Sequence, residues 1–314
     1  MGRYEISYDN FQELIHSMLF FMPTSSQIEI TKNVLFDLRL PRILAVILVG
    51  ASLSISGTAL QAMFLNPLVS PGILGILAGA SFGAALGILL FDAWIIIQFF
   101  AFLFGFVAVF FALLVAKIYD KNANKTILLV LGGVISSSLF SALLAAIKYM
   151  ADPYDELPTI VYWLMGSFSG TDFETISVIA FPMLFSITVL CLIGKYINVL
   201  SLGEDEAKSL GINVEKIRLL TIVLATLLSA LCVATAGIIG WVGLIIPHIA
   251  RFIIGPDNRT LLPFSALLGG VFLLIVDTLC RTLSNTEIPI GIVTALLGVP
   301  IFIFVLKNTK KGFQ

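Results

Sequence analysis

Nine apolar runs dominate the chain, at about residues 40–64, 68–91, 93–116, 127–147, 176–197, 217–238, 240–254, 261–279 and 288–306. Charges are almost absent from them. A segment that crosses hydrocarbon must satisfy its backbone amides internally, which leaves helices or a closed barrel. No period-two alternation supports a barrel, and roughly 20 apolar residues suffice for one helical crossing. The sequence therefore predicts an all-α polytopic membrane protein, a multi-span helical bundle with about nine visible spans. Composition agrees, since 59% hydrophobic and 12% charged residues exclude a water-soluble domain. A net charge of -1 carries no polyanion-binding signature, so nucleic acid is not an expected partner.

Lysine and arginine should accumulate in the cytoplasmic connections. Placing the C-terminus inside assigns 12 of them to that side, including Lys117, Lys121, Lys125, Lys195, Lys208, Lys216, Arg218, Arg251 and Arg259, against 6 outside. That orientation predicts a multi-pass protein of the cell membrane with a cytoplasmic C-terminus. Residues 1–38 stand apart: residues 14–22 are too few to cross, and Glu5, Asp9 and Glu13 give an acidic, amphipathic outer-face segment rather than a signal peptide. The division expected is thus 1–38 and a single transmembrane domain, 39–314.

Chemistry on a substrate is not expected. Cys191, Cys232 and Cys280 lie far apart inside apolar runs, and the two histidines form no HExxH pair, so no metal set is legible. The Gly194-Lys195 step lacks the upstream glycine of a phosphate-binding loop, so any ATP used should bind elsewhere. His248, between Pro247 and Ile249, reads as a packed histidine.

The segment 201–218, SLGEDEAKSLGINVEKIR, is a charged insert between spans. Ser201 and Glu204 match a capping box, Glu204, Asp205 and Glu206 suit a helix N-terminus, and Gly211 suits a left-handed stop. Asn213 can cap a second helix leading into the next span. Two capped helices, at about 201–217, predict a rigid cytoplasmic elbow able to receive force from a partner.

In this order, several motifs resemble the permease subunits of ATP-binding-cassette importers for ferric siderophores, haem and vitamin B12. They are Arg39-Leu40-Pro41-Arg42, Gly57 to Gln61, Asn66-Pro67-Leu68, Pro71-Gly72 to Gly75, Trp163-Leu164-Met165-Gly166, Leu202-Gly203 to Leu210-Gly211, Gly237 through Val242-Gly243-Leu244 to Pro247-His248 and Arg251, Asp277 to Arg281, and Pro289 to Pro300. The resemblance implies ten spans, of which the first is not seen here, and Trp241 stands where phenylalanine is usual. It implies a second permease subunit, identical or homologous, two ATP-binding subunits and an extracytoplasmic substrate-binding protein. No cofactor is expected on this chain; ATP and Mg belong to the partner ATPase. Its coupling surface would be Ser201, Gly203, Glu204, Asp205, Glu206, Ala207, Leu210 and Gly211.

Arg39, Arg42 and Arg281 lie against the inside bias at outer span ends, so something acidic should meet them. In similar permeases, arginines at matching positions receive glutamates of the binding protein. Alternatively they reach lipid phosphates, or Arg281 pairs with Asp277 one helical turn earlier, which would relieve a carboxylate inside an apolar run. Breaks at Asn66-Pro67 and Pro71-Gly72 place the first connection, with Gln61, beside a transport path. The resemblance puts the inner gate at Asn122, Asn124 and Thr126. The expected cargo is a ferric siderophore or similar metal chelate, with vitamin B12, haem or molybdate as alternatives. The competing class is an ATP-independent secondary transporter, which should show buried charge partners for ion coupling.

Overall fold

The structure, a computed structural model, describes residues 7–20, 26–91, 93–118 and 125–309. Within them the helices are α1 (Tyr8–Phe20), α2 (Ser26–Asn33), α3 (Leu40–Phe64), α4 (Ile76–Phe91), α5 (Trp94–Ile118), α6 (Lys125–Met150) and α7 (Glu156–Met165). They continue as α8 (Phe173–Leu192), α9 (Gly194–Leu200), α10 (Glu204–Ser209), α11 (Val214–Ala236), α12 (Val242–Ile254), α13 (Asn258–Thr282) and α14 (Ile290–Thr309). Among the described residues, six helices are long and apolar enough to cross a membrane, and three shorter apolar ones, α4, α12 and α14, complete the nine runs.

The expected boundary between residues 38 and 39 falls inside a helix. A π-type segment, Val34–Arg39, joins α2 to α3 without interruption, giving one helix over Ser26–Phe64. Before it, α1 buries Leu14 while Phe11 and Ile15 stay exposed.

Two helices form the centre. The most apolar windows of α3 and α11 are 72% buried, whereas those of α5, α6 and α8 are 22–33% buried and present apolar faces outward. Lipid tails are as apolar as leucine, so close packing rather than water exclusion must join such helices. Small residues supply it. A Cβ on Gly50 of α3 would meet the Gly269 carbonyl oxygen of α13 at 2.4 Å, and the Ser54 hydroxyl donates to the Ser265 carbonyl at 2.7 Å. On α4, Gly79 and Gly83 face the carbonyls of Phe104 and Phe100 on α5 in the same way. At Gly57 a Cβ would lie 1.8 Å from the Gly243 oxygen, so α12 can approach α3 only because both residues are glycine.

Breaks in the apolar runs prove structural. Leu65, in the left-handed conformation, ends α3; the Asn66 side chain accepts from the Leu68 N–H at 2.9 Å, and a 3-10 turn, Pro71–Leu74, leads through Gly75 into α4. The run expected over 176–197 divides at Ile193 into α8 and α9. Two glycines distant in sequence close the opposite side of the bundle. The Ser167 N–H donates to the Ala236 carbonyl and the Ile290 N–H to the Gly166 carbonyl, each at 3.1 Å. Gly166 (φ +78°) and Gly237 (φ +69°) adopt the left-handed backbone that this junction requires.

Candidate functional site

At the end of the bundle where α13 finishes, Arg42 points inward instead of outward. Its Nε and Nη2 donate to Asp277 Oδ1 at 3.0 and 2.6 Å, and its Nη1 donates to Glu287 at 3.1 Å while Nη2 also contacts that carboxylate. Asp277 is fully buried, and the Arg42 side chain is 11% exposed. The Arg281 Nε lies 3.0 Å from Asp277 Oδ2, an ion-pair distance without hydrogen-bond alignment. The expected Asp277–Arg281 pair is therefore part of a larger cluster of two arginines and two carboxylates. Arg42, expected as a docking residue at an outer span end, has its guanidinium bound by acids from α13 and the α13–α14 connection. Arg39 is half-buried at the start of α3.

Gln61, expected beside a path, is buried within this chain. It is 2% exposed, and its amide donates to the Val69 and Leu244 carbonyls at 3.2 and 3.3 Å while accepting from Arg251 at 3.3 Å. Gln61 therefore brackets α3, the 65–70 turn and α12. Asn66 and Pro67, by contrast, are exposed in that turn. Thr126 is half-buried in the first turn of α6; Asn122 and Asn124 lie outside the described residues.

The charged insert folds as two helices, with one correction. Ser201 does not cap α10: it terminates α9, its hydroxyl donating to the Asn198 carbonyl at 2.6 Å. Gly203, at φ +121°, precedes α10 without any side-chain cap, and the acidic first turn faces the positive end of the helix dipole. Gly211, at φ +77°, stops the helix, and the N–H groups of Gly211 and Ile212 return to the Lys208 and Ala207 carbonyls at 2.9 and 3.2 Å. Asn213 then caps α11 by accepting from the Lys216 N–H at 3.0 Å. Ala207 is fully buried in a cluster with Leu200 and Val214, which fixes α10 against its neighbours. Leu202 and Leu210 are exposed, beside the exposed charges Asp205, Glu206 and Lys208.

Sequence reasoning missed the contact that ties this elbow to a membrane helix. The Asn198 amide, on α9, donates to Asp257 Oδ1 at 2.6 Å, and its oxygen accepts from the Asn258 N–H and side-chain amide at 2.8 and 2.9 Å. Gly194 leaves room for the Asn258 carbonyl, which a Cβ would meet at 2.8 Å. Asp257 caps α13; the Arg259 guanidinium and N–H, then Asn198, hold its carboxyl well below the usual carboxylate range. A depressed folded-state value means this stabilisation is present above the ordinary carboxylate range and lost only as acid lowers the pH through the folded value. The sole sequence signal was Asp257-Asn258, a capping pattern before an apolar run. Asn198→Ala would leave the buried Asn258 amide short of a partner, at about 1–3 kcal/mol. Detergent melts should show that loss.

No group of three His, Cys, Asp or Glu side chains able to hold a metal occurs among the described residues. The arrangement offers a glycine-packed bundle, an ionic cluster at one end and a clamped elbow at the other.

Comparison with known proteins locates this arrangement. The profile of the FecCD transport family matches residues 4–308. The chain is 40% identical to the molybdate import system permease protein MolB of Haemophilus influenzae, over 99% of this chain and 91% of that protein. It is 36% identical to an iron chelatin transport system permease protein of Helicobacter pylori, over 98% and 93%. Among solved structures, an inward-facing conformation of a metal-chelate type ABC transporter superposes with a TM-score of 0.85 at 38% identity, covering 96% of this chain and 98% of the other.

Proposed function

The chain belongs to the FecCD transport family and is a membrane-spanning permease subunit of an ATP-binding-cassette importer, and from that premise we propose that it carries a ferric siderophore or a similar metal chelate into the cytoplasm. The observation that carries the reading is the family match over nearly the whole chain, joined to an elbow whose two helices are stopped, capped and clamped to α13. Two ATP-binding subunits would press on Gly203 to Gly211, with ATP and Mg held on those subunits. The exposed Leu202 and Leu210 suit such a contact, because paired apolar side chains rimmed by charges mark interaction surfaces. Force applied there reaches α13 through Asn198 and travels along that helix to the Asp277–Arg42 cluster.

A second permease copy or a homologue would complete the path, with Asn66, Pro67 and Thr126 beside it and an extracytoplasmic binding protein delivering cargo at the end that carries Arg39. The positive-inside distribution supports a cytoplasmic C-terminus. The metal-chelate reading is supported by the iron chelatin permeases and by the metal-chelate type transporter structure. Molybdate is the second reading, supported by 40% identity to a molybdate permease over 99% of the chain.

Cells expressing the chain with its cognate ATPase and binding protein should accumulate radio-iron from a ferric siderophore in an ATP-dependent way. Unlabelled molybdate and cyanocobalamin should not compete. Uptake of molybdate with no uptake of the ferric chelate would replace this cargo with the oxyanion.

A further inference from the structure

At the end of the bundle away from α10, a cavity of about 330 Å³ opens between the start of α5, α7, the 167–170 loop and the end of α11. Its lining is electronegative on three counts. The last turns of α7 and α11 both reach it, through Trp163 and through Thr235 and Ala236, and neither turn carries a basic residue. Helix C-termini bear partial negative charge. Trp94, Tyr162 and Trp163 supply aromatic rings, and a Cβ on Gly170 would stand 3.8 Å from the Trp94 ring, so the loop lies against that indole. Finally, hydroxyl protons are spent inside the protein. Thr159 donates to the Asp155 carbonyl at 2.9 Å, Ser167 to the Ser169 hydroxyl oxygen at 3.0 Å and Thr235 to the Leu231 carbonyl at 2.8 Å. What these three groups leave for a ligand is lone pairs.

We propose that this cavity binds an organic ammonium group, with the cation against the Trp94 indole and its N–H bonds directed to the hydroxyl oxygens. Aromatic faces attract cations, tryptophan most strongly, and helix C-termini favour the same charge. The Tyr162 and Ser169 hydroxyls can accept as well as donate, which leaves the two indole N–H groups as the obligate side-chain donors among the described lining residues. No lysine or arginine is among those residues, so an anion would find few donors and no positive charge. Through Thr159 the cavity adjoins a second one lined by Asp155 and Glu156, which adds negative potential. A soluble amine and an aminophospholipid headgroup present the same chemistry. Bound there, either would tie the start of α5 to α7 and to the end of α11. The inference depends on neither the cargo nor the orientation of the bundle.

The test uses the purified full transporter in detergent, titrated calorimetrically with propylammonium, propanol or propionate at matched ionic strength. A parallel incubation with phosphatidylethanolamine or phosphatidylglycerol of matched chains, counted by native mass spectrometry, separates the two sources. Saturable binding of propylammonium alone among the three solutes assigns the site to a soluble amine, and preferential retention of phosphatidylethanolamine assigns it to a lipid; each supports the proposal. In the arm that responds, Trp94→Leu should weaken the preference by about tenfold and Trp94→Phe by less. Ser169→Lys, which carries its own ammonium into the cavity, should abolish the preference, while Ser169→Met should keep it. That pair decides the matter if Trp94→Leu does not assemble. No preference for the ammonium compound in either arm, an unchanged preference in Trp94→Leu, or equal loss in Ser169→Lys and Ser169→Met would each overturn the proposal.

Discussion

Arg42→Ala should destabilise the protein by about 3–5 kcal/mol, the cost of removing one partner from a buried ion pair. Asp277 is fully buried, and without Arg42 its remaining cation is Arg281, whose Nε is close but not aligned for a hydrogen bond. Glu287 loses its contact at the same time. The penalty arises mainly from leaving the carboxylate in an apolar setting, so removing both charges should cost much less than removing one. Arg42→Met combined with Asp277→Leu should therefore melt closer to wild type than Arg42→Ala does, by scanning in detergent. If Arg42→Ala instead melts like wild type and only weakens capture of a binding protein, Arg42 is a docking residue after all and the cluster is not structural.

Replacing residues 204–210 by a glycine-serine linker of equal length should reduce ATP-driven uptake to background while leaving the membrane bundle folded. Among the described side chains of α10, Ala207 is the one buried against the rest of the chain, so the bundle loses little. What disappears is direction. Gly203 and Gly211 fix the entry and exit of α10 through backbone conformations that L side chains rarely adopt, and Asn213 fixes the start of α11. A flexible chain of the same length preserves connectivity but cannot transmit a push to α9, Asn198 and the start of α13. The expected loss is complete because transport then has no mechanical input, whereas Asn198→Ala weakens one link of the same chain.

The spans were legible because hydropathy is a local property: the first run, 40–64, coincides with α3. The stop at Gly211 and the cap at Asn213 were legible for the same reason, each being set by a few neighbouring residues. What sequence reasoning missed is long-range. Arg42 and Asp277 are 235 residues apart, and their pairing follows from the antiparallel packing of α3 on α13, which no periodicity reveals. Gln61 was expected beside a path together with the first connection; its burial between the Val69 and Leu244 carbonyls depends on residues up to 183 positions away. Ser201 and Glu204 have the spacing of a capping box, but α9 continues to Leu200 and takes the serine as its own terminus. Local grammar admitted both readings there, and the docking of α9 on α13 through Asn198 coincides with the one observed.

The most direct measurement of the central claim is ATP-dependent uptake into vesicles containing the permease, its ATPase and its binding protein, with α10 intact or replaced by the linker. The account predicts uptake with α10 and none above background without it, at equal thermal stability of the permease. Wild-type uptake through the linker variant would contradict it, because the elbow would then be a passive loop.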